Sequence, residues 1–178
     1  MPRRLVIEFT PELATPLTHL YNSVLASATQ GLADWPAEWK IEYGTPISKI
    51  PNPQSESDLR VISFTPFFSK VLERFIVEWL FKYIGDKIDL KQFGGLKGNS
   101  IAHYLIDLVN FILHSQEDNN PAAVLLSTID FSKAFNRQNH NILISKLSNM
   151  GTPGWLLNII MGYLSDRKML VRYKGESS

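Results

Sequence analysis

The chain has 178 residues, of which 44% are hydrophobic and 20% charged, and its formal net charge is +1 at neutral pH. That length suits one domain and is marginal for two, and the composition is too apolar for a disordered chain. A balance this close to neutral means that any nucleic-acid surface must come from local placement of cations, while the absence of cysteine excludes disulfide scaffolds and thiolate metal sites.

The first residues, Met1-Pro2-Arg3-Arg4, lead into only a short apolar stretch from Leu5 to Phe9, so no signal peptide is expected. No apolar run approaches the roughly 20 residues that span a bilayer. From Pro11 to Thr29, Leu13, Leu17, Leu20, Tyr21, Val24 and Leu25 recur at helical spacing, with Pro11 suited to a first turn. Ile41-Glu42-Tyr43 and the segment Thr45 to Ile50 then read as two short strands separated by Gly44. A polar stretch, Pro51 to Asp58, precedes a further strand from Leu59 to Phe64.

Pro66 opens a helix to about Tyr83, with Thr65 as its cap and Gly85 as its stop. A glycine-rich connector, Gln92 to Gly98, leads to a second long helix from Asn99, which ends in the polar loop Gln116 to Pro121. Ala122 to Ile129 is a continuous apolar run, short enough for a strand buried on both faces. Helices are expected over 139–150 and 153–164, separated by Gly151, and a last strand over 168–174. The order is mixed α/β.

Asp130 is the sharpest chemical feature. A carboxylate at the end of a buried strand is costly without a charged partner, and strand ends are where ligands sit in open α/β sheets. Metal-dependent phosphoryl transfer uses such a group, because Mg²⁺ takes oxygen ligands and fills its shell with water and substrate phosphates. From spacing alone, the plainer reading is an aspartate capping the following turn. Lys49 and Arg60 likewise read, on their own, as solvated strand-edge charges, Phe135 as a core aromatic, and Gly94, Gly95 and Gly98 as a loop. His19, His103, His114 and His140 show no zinc-ligand spacing.

Ile129-Asp130-Phe131-Ser132-Lys133-Ala134-Phe135, followed by His140, resembles the first catalytic motif of non-LTR (LINE-like) retrotransposon reverse transcriptases. Upstream, Trp39-Lys40, Pro46-Ile47-Ser48-Lys49, Asp58 to Pro66 and Ser69-Lys70-Val71-Leu72-Glu73 resemble that family's fingers region. Gln92 to Ser100 is similar to its next block, and Leu143, Lys146-Leu147, Gly151, Pro153 and Tyr163 to Arg167 continue the likeness. It covers about Pro11 to Ser178. It implies an α/β fold of the right-hand polymerase kind: fingers over about 11–121, then a partial palm over about 122–178 with an incomplete sheet centred on the Val124 to Ile129 strand.

The resemblance also implies roles. Asp130 would ligate two catalytic Mg²⁺ ions, with the Phe131 carbonyl as a further ligand. Lys49 and Arg60 would approach the triphosphate of the incoming deoxynucleotide, lysine as a point charge and arginine as a fork matching phosphate oxygens. Ser132, Lys133, Ala134 and Phe135 would line the nucleotide pocket, with the Phe135 ring as the steric gate against a ribose 2′-hydroxyl. Gln92, Gly94, Gly98 and Ser100 would lie along the template, where glycine lets backbone amides approach phosphates. The implied partners are an RNA template, a DNA primer and deoxynucleoside triphosphates, in the cytoplasm or nucleus and not at a membrane.

Val61 stands where the family usually has proline, and Asn136 where it has a second aspartate. Neither the family's Pro-Gln-Gly block nor the Tyr/Phe-x-Asp-Asp turn beyond it, which supplies the remaining carboxylates, occurs in the 178 residues. The expectation is therefore the front part of a polymerase that does not polymerise DNA by itself. The alternative is a non-catalytic nucleic-acid-binding remnant.

Overall fold

The computed structural model describes residues 3–117, 123–131, 134, 137–173 and 176–177. They divide into two units, Met1–Ile84 together with Asn139–Ser178, and Gly85–Gln138.

The first unit opens with helices α1 (Arg3–Glu8) and α2 (Thr10–Gln30). The short α1 was not foreseen; its Leu5 carbonyl accepts from the Phe9 amide at 3.0 Å, so the chain runs almost unbroken into α2. Pro11 sits in the first turn of α2, as its fixed φ and missing N–H dictate. After a 3₁₀ turn at Ala37–Lys40 comes β1 (Ile41–Ser48), one continuous strand rather than two. Gly44 does not interrupt it, because it pairs with Ser63 in the ladder. A Cβ at Gly44 would lie 2.7 Å from Val61 Cγ1 and 3.3 Å from Met169 Sδ, so here glycine serves close packing rather than a turn.

β2 (Leu59–Phe64) runs antiparallel to β1, and α3 (Phe67–Ile84) follows it. Past the second unit, the first resumes with α5 (His140–Asn149), α6 (Gly154–Leu164), β3 (Lys168–Tyr173) and the two-residue β4 (Glu176–Ser177). The strand order is β2-β1-β3-β4, with β3 parallel to β1. The register matches Tyr43 with Phe64 and Leu170, and Ile47 with Arg60. Alternation then places Tyr43, Ile47, Arg60, Ile62, Phe64 and Arg172 on one face, and Glu42, Gly44, Val61 and Met169 on the other.

The core lies among α2, α3 and α6. Val24 and Ala28 of α2, Leu72 and Ile76 of α3, and Leu156 and Ile159 of α6 are buried together with Ala33, Trp35 and Trp39 from the segment that precedes β1. These follow the three-and-four spacing read from the sequence, and each large aliphatic withdrawn from water contributes about 1.5–3 kcal/mol. Trp35 donates its indole N–H to the Ile159 carbonyl at 3.1 Å, and Asn158 Nδ2 donates to the Ala28 carbonyl at 2.9 Å. Trp35, Trp39, Tyr21 and Tyr163 form edge and tilted ring contacts, with centroids 5.1–6.2 Å apart.

The second unit contains a 3₁₀ turn at Gly85–Lys87, the glycine-rich connector and helix α4 (Ile101–Glu117). Residues 123–131 carry no regular structure, which corrects the expected central strand from Val124 to Ile129. Leu125, Ile129 and Phe131 are 90%, 84% and 76% exposed. A strand exists only by pairing, and among the described residues of this unit there is no strand for it to pair with. No described helix is long and apolar enough to cross a membrane.

Candidate functional site

Hairpin β1–β2 positions the two basic residues. Ile47 faces Arg60 across the ladder, and Lys49, two residues beyond Ile47, lies at the same end of the hairpin. The Lys49 amide extends the pairing by donating to the Asp58 carbonyl at 2.8 Å. Both side chains are exposed, and Lys49 Nζ donates to the Ser57 carbonyl at 2.7 Å.

The turn beneath them is fixed by Asp58. Its carboxylate accepts from the Gln54 and Ser55 amides, both at 3.0 Å, and from Ser55 Oγ at 3.1 Å. Those bonds, the Gln54 amide first, and then the charge of Lys49, hold the Asp58 carboxyl below the usual aspartate range. The turn therefore keeps its shape and its negative charge together.

The connector is closed by its own side chains. Asn99 Nδ2 donates to the Gln92 carbonyl at 2.9 Å and Gln92 Nε2 donates to the Gly94 carbonyl at 2.9 Å. Gly95 and Gly98 have φ of 78° and 90°, a region that L side chains rarely adopt, and this explains glycine there. Ser100 Oγ caps the first turn of α4 by accepting from the His103 amide at 3.4 Å. Next to it, Phe93 and Tyr104, with centroids 5.7 Å apart, line a shallow cleft along α4 together with Lys91 and Asp107.

Asp130 and Phe131 are exposed in the irregular segment, and Ala134 lies in an exposed turn. Ser132, Lys133 and Phe135 lie outside the described residues, as does Asn136. Lys49 and Arg60 belong to the first unit, and Gln92, Gly94, Gly98, Ser100 and Asp130 to the second. Among the described residues no group of three His, Asp or Glu is placed to hold a metal ion. One carboxylate and one backbone carbonyl fall short of the donors that two ions about 3.5–4 Å apart require. The described residues thus do not fit a two-ion centre.

A polar network that the sequence reading did not assign joins α3, α6 and the sheet. Ser69 Oγ, fully buried, donates to Glu73 Oε1 at 2.7 Å, and the Tyr163 hydroxyl feels the Glu73 charge. Arg167 lies 4.2 Å from the centroid of the Tyr163 ring and pairs with Glu42 of β1. Burial, then the Glu73 charge, push the Tyr163 hydroxyl up to about 12. The Ser69/Glu73 and Tyr163/Arg167 spacings of four residues are the signal that was available.

The model of one protein family matches residues 50–177, more than half of the chain; the family is described as reverse transcriptase (RNA-dependent DNA polymerase). No curated protein matches the chain at a significant level. A match of that extent, over β2, the connector and the aspartate segment alike, places the chain in the reverse transcriptase (RNA-dependent DNA polymerase) family.

Proposed function

We propose that these residues are the fingers, over about 11–121, and part of the palm, over about 122–178, of a reverse transcriptase of the non-LTR retrotransposon type. The reaction is RNA-templated DNA synthesis. A primer 3′-hydroxyl attacks the α-phosphate of a deoxynucleoside triphosphate, a new P–O bond forms, and pyrophosphate leaves. Such catalysis is mostly positioning and charge neutralisation. Lys49 and Arg60 neutralise the triphosphate, Ser132 to Phe135 line its pocket, Gln92 to Ser100 follow the template, and Asp130 with the Phe131 carbonyl contributes to the divalent-ion site, magnesium in this reading. The observation that carries the reading is the family match over residues 50–177, with Arg60 inside it and Lys49 one residue before it at the same hairpin end.

Because Asp130 is a single carboxylate, a polypeptide of these 178 residues is expected not to extend a DNA primer on an RNA template with Mg²⁺ and the four deoxynucleotides. Extension by this protein would overturn that part of the proposal. The transcript beyond the Ser178 codon decides the rest. A frame reaching a Pro-Gln-Gly block and an Asp-Asp turn gives an enzyme in which Asp130→Ala abolishes extension. In that enzyme Arg60→Ala raises the deoxynucleotide KM by roughly 10-fold or more, the value of a charged hydrogen bond. Full activity in the Asp130→Ala form would remove the aspartate from the mechanism.

A second reading is a nucleic-acid-binding module without chemistry. Binding of RNA that weakens steeply with salt supports it, and absence of binding at low salt excludes it.

A further inference from the structure

β2 is the outer strand of the sheet, and its far edge has no neighbouring strand among the described residues. The pairing with β1 fixes which backbone groups face outward. Pro46 stands opposite Val61 and has no N–H to give, and the Lys49 amide donates to the Asp58 carbonyl. In an antiparallel ladder this makes Arg60, Ile62 and Phe64 the residues that bond inward, to Ile47, Thr45 and Tyr43. Alternation then turns the amides and carbonyls of Val61 and Ser63 away from the sheet. Every residue from Arg60 to Phe64 is exposed, among them the large apolar side chains of Val61, Ile62 and Phe64.

Sheet edges are ordinarily blunted by charge, by proline or by a bulge. The centre of β2 has none of these. Its only charge is Arg60, near its start, and its register with β1 is unbroken. Val61 stands where the non-LTR family usually has proline. A proline there would remove the outward N–H and leave the ladder with β1 whole, because that N–H does not face β1. Valine instead supplies the donor, on a β-branched residue suited to extended pairing. One residue thus opens the edge in this chain.

We infer that β2 pairs antiparallel with β2 of a second copy of this chain, about a two-fold axis at Ile62, and so joins two sheets into a homodimer. The side chains select that register. With Ile62 opposite Ile62, Val61 and Ser63 exchange their backbone bonds with Ser63 and Val61 of the second copy, four bonds in all. On the face that carries Tyr43, Arg60 comes opposite Phe64 of the second copy, and the symmetry repeats the contact. Each guanidinium then meets an exposed ring, and no like charges stand directly opposed. A register centred on Val61 would set Arg60 against Ile62 and Asp58 against Phe64, and both matches would be lost. Any extended peptide satisfies the backbone, but a second copy also satisfies Arg60 and Phe64. The contact is the same patch on both chains, so it closes at two. Being one strand wide, it belongs with weak interfaces of less than about 1,200 Å². The inference does not rest on the nucleotide reading, and no nucleotide enters its test.

The test is sedimentation equilibrium of the 178-residue protein over about 5 to 500 μM, a range that suits a weak contact. The mass should rise from one chain towards two and go no further. Val61→Pro should remain a single chain over the same range with an unchanged melting curve. Phe64→Ala should raise the dissociation constant about 5-fold or more, since the ring is lost at both symmetric contacts. If Val61→Pro does not fold, Val61→Lys, which puts a charge on the edge, should abolish the dimer in its place. The register has its own probe, because the chain lacks cysteine. Under oxidised glutathione, Ile62→Cys should form a disulfide-linked dimer on non-reducing gels, since directly opposed residues of this kind hold their Cα atoms about 4.5 Å apart, within disulfide reach. Ile47→Cys, on β1 and one strand further from the axis, should not. A protein that stays monomeric throughout the range would overturn the inference and leave the edge to a different strand. Association that persists in folded Val61→Pro protein would overturn it too, and assign the contact to another surface such as α4. Growth beyond two chains, or cross-linking of Ile47→Cys as readily as of Ile62→Cys, would count against it in the same way.

Discussion

Gly162 has no room for a methyl group. A Cβ there would lie 2.4 Å from the Ala33 carbonyl oxygen and 3.2 Å from the Ala33 Cβ, and the obstacle is backbone rather than a movable side chain. Gly162→Ala is therefore expected to destabilise the protein by about 1–3 kcal/mol through forced separation of α6 from the 31–35 segment, read as a lower urea midpoint. Next to it, Tyr163 titrates at about 12, above its ordinary 10. The folded state thus holds this proton more tightly than the unfolded chain does. Its contribution is complete below pH 10 and is lost as pH rises from 10 to about 12. Tyr163→Phe should flatten the fall in stability over that window; an unchanged alkaline limb would show that the Glu73 contact does not matter. Gly162 was not singled out in the sequence and Tyr163 entered only within the family likeness, since close approach and buried polar contacts arise only once distant elements meet.

At the scale of elements, local signals carried most of the structure. Asn139 starts α5 as expected of an N-cap, its side chain accepting from the Asn141 and Ile142 amides at 3.0 and 3.2 Å. Asn139→Ala should cost about 1 kcal/mol, measured by thermal or urea unfolding. Helices α2, α3 and α6 followed their apolar stripes within a residue or two of the expected bounds. Strand reasoning failed where pairing decides. Gly44 looked like a break because its packing against Val61 and Met169 comes from neighbouring strands, and the 122–129 run looked buried because apolar length was taken for partners. Lys49 and Arg60 were named together only through the family likeness, and the register sets them at one hairpin end. The face they share with Lys168 and Arg172 was not, since parallel pairing joins segments more than a hundred residues apart.

At the scale of the whole molecule, the described residues differ sharply between the two units. Every residue of the buried core cluster belongs to the first. In the second, α4 exposes Leu105, Ile106, Val109 and Phe111, and the 123–131 segment exposes Leu125 and Ile129. Chymotrypsin is accordingly expected to cut after Leu125, Leu126 or Phe131 before any site in α2, α3 or α6, with mass spectrometry of the early fragments as the readout. First cuts within α6 would contradict this division of stability.

The ion pair between Arg167 and Glu42 joins residues 125 positions apart, and it sits where β3 docks beside β1. On a ribosome this is a matter of waiting. Glu42 emerges early, and at about 5–20 residues per second its partner follows roughly 6–25 s later. During that interval one edge of β1 has no neighbour, and Arg60 of β2 is displayed without Lys168 and Arg172 of β3. A growing chain therefore carries a sheet edge open to pairing with another strand before β3 exists to close it.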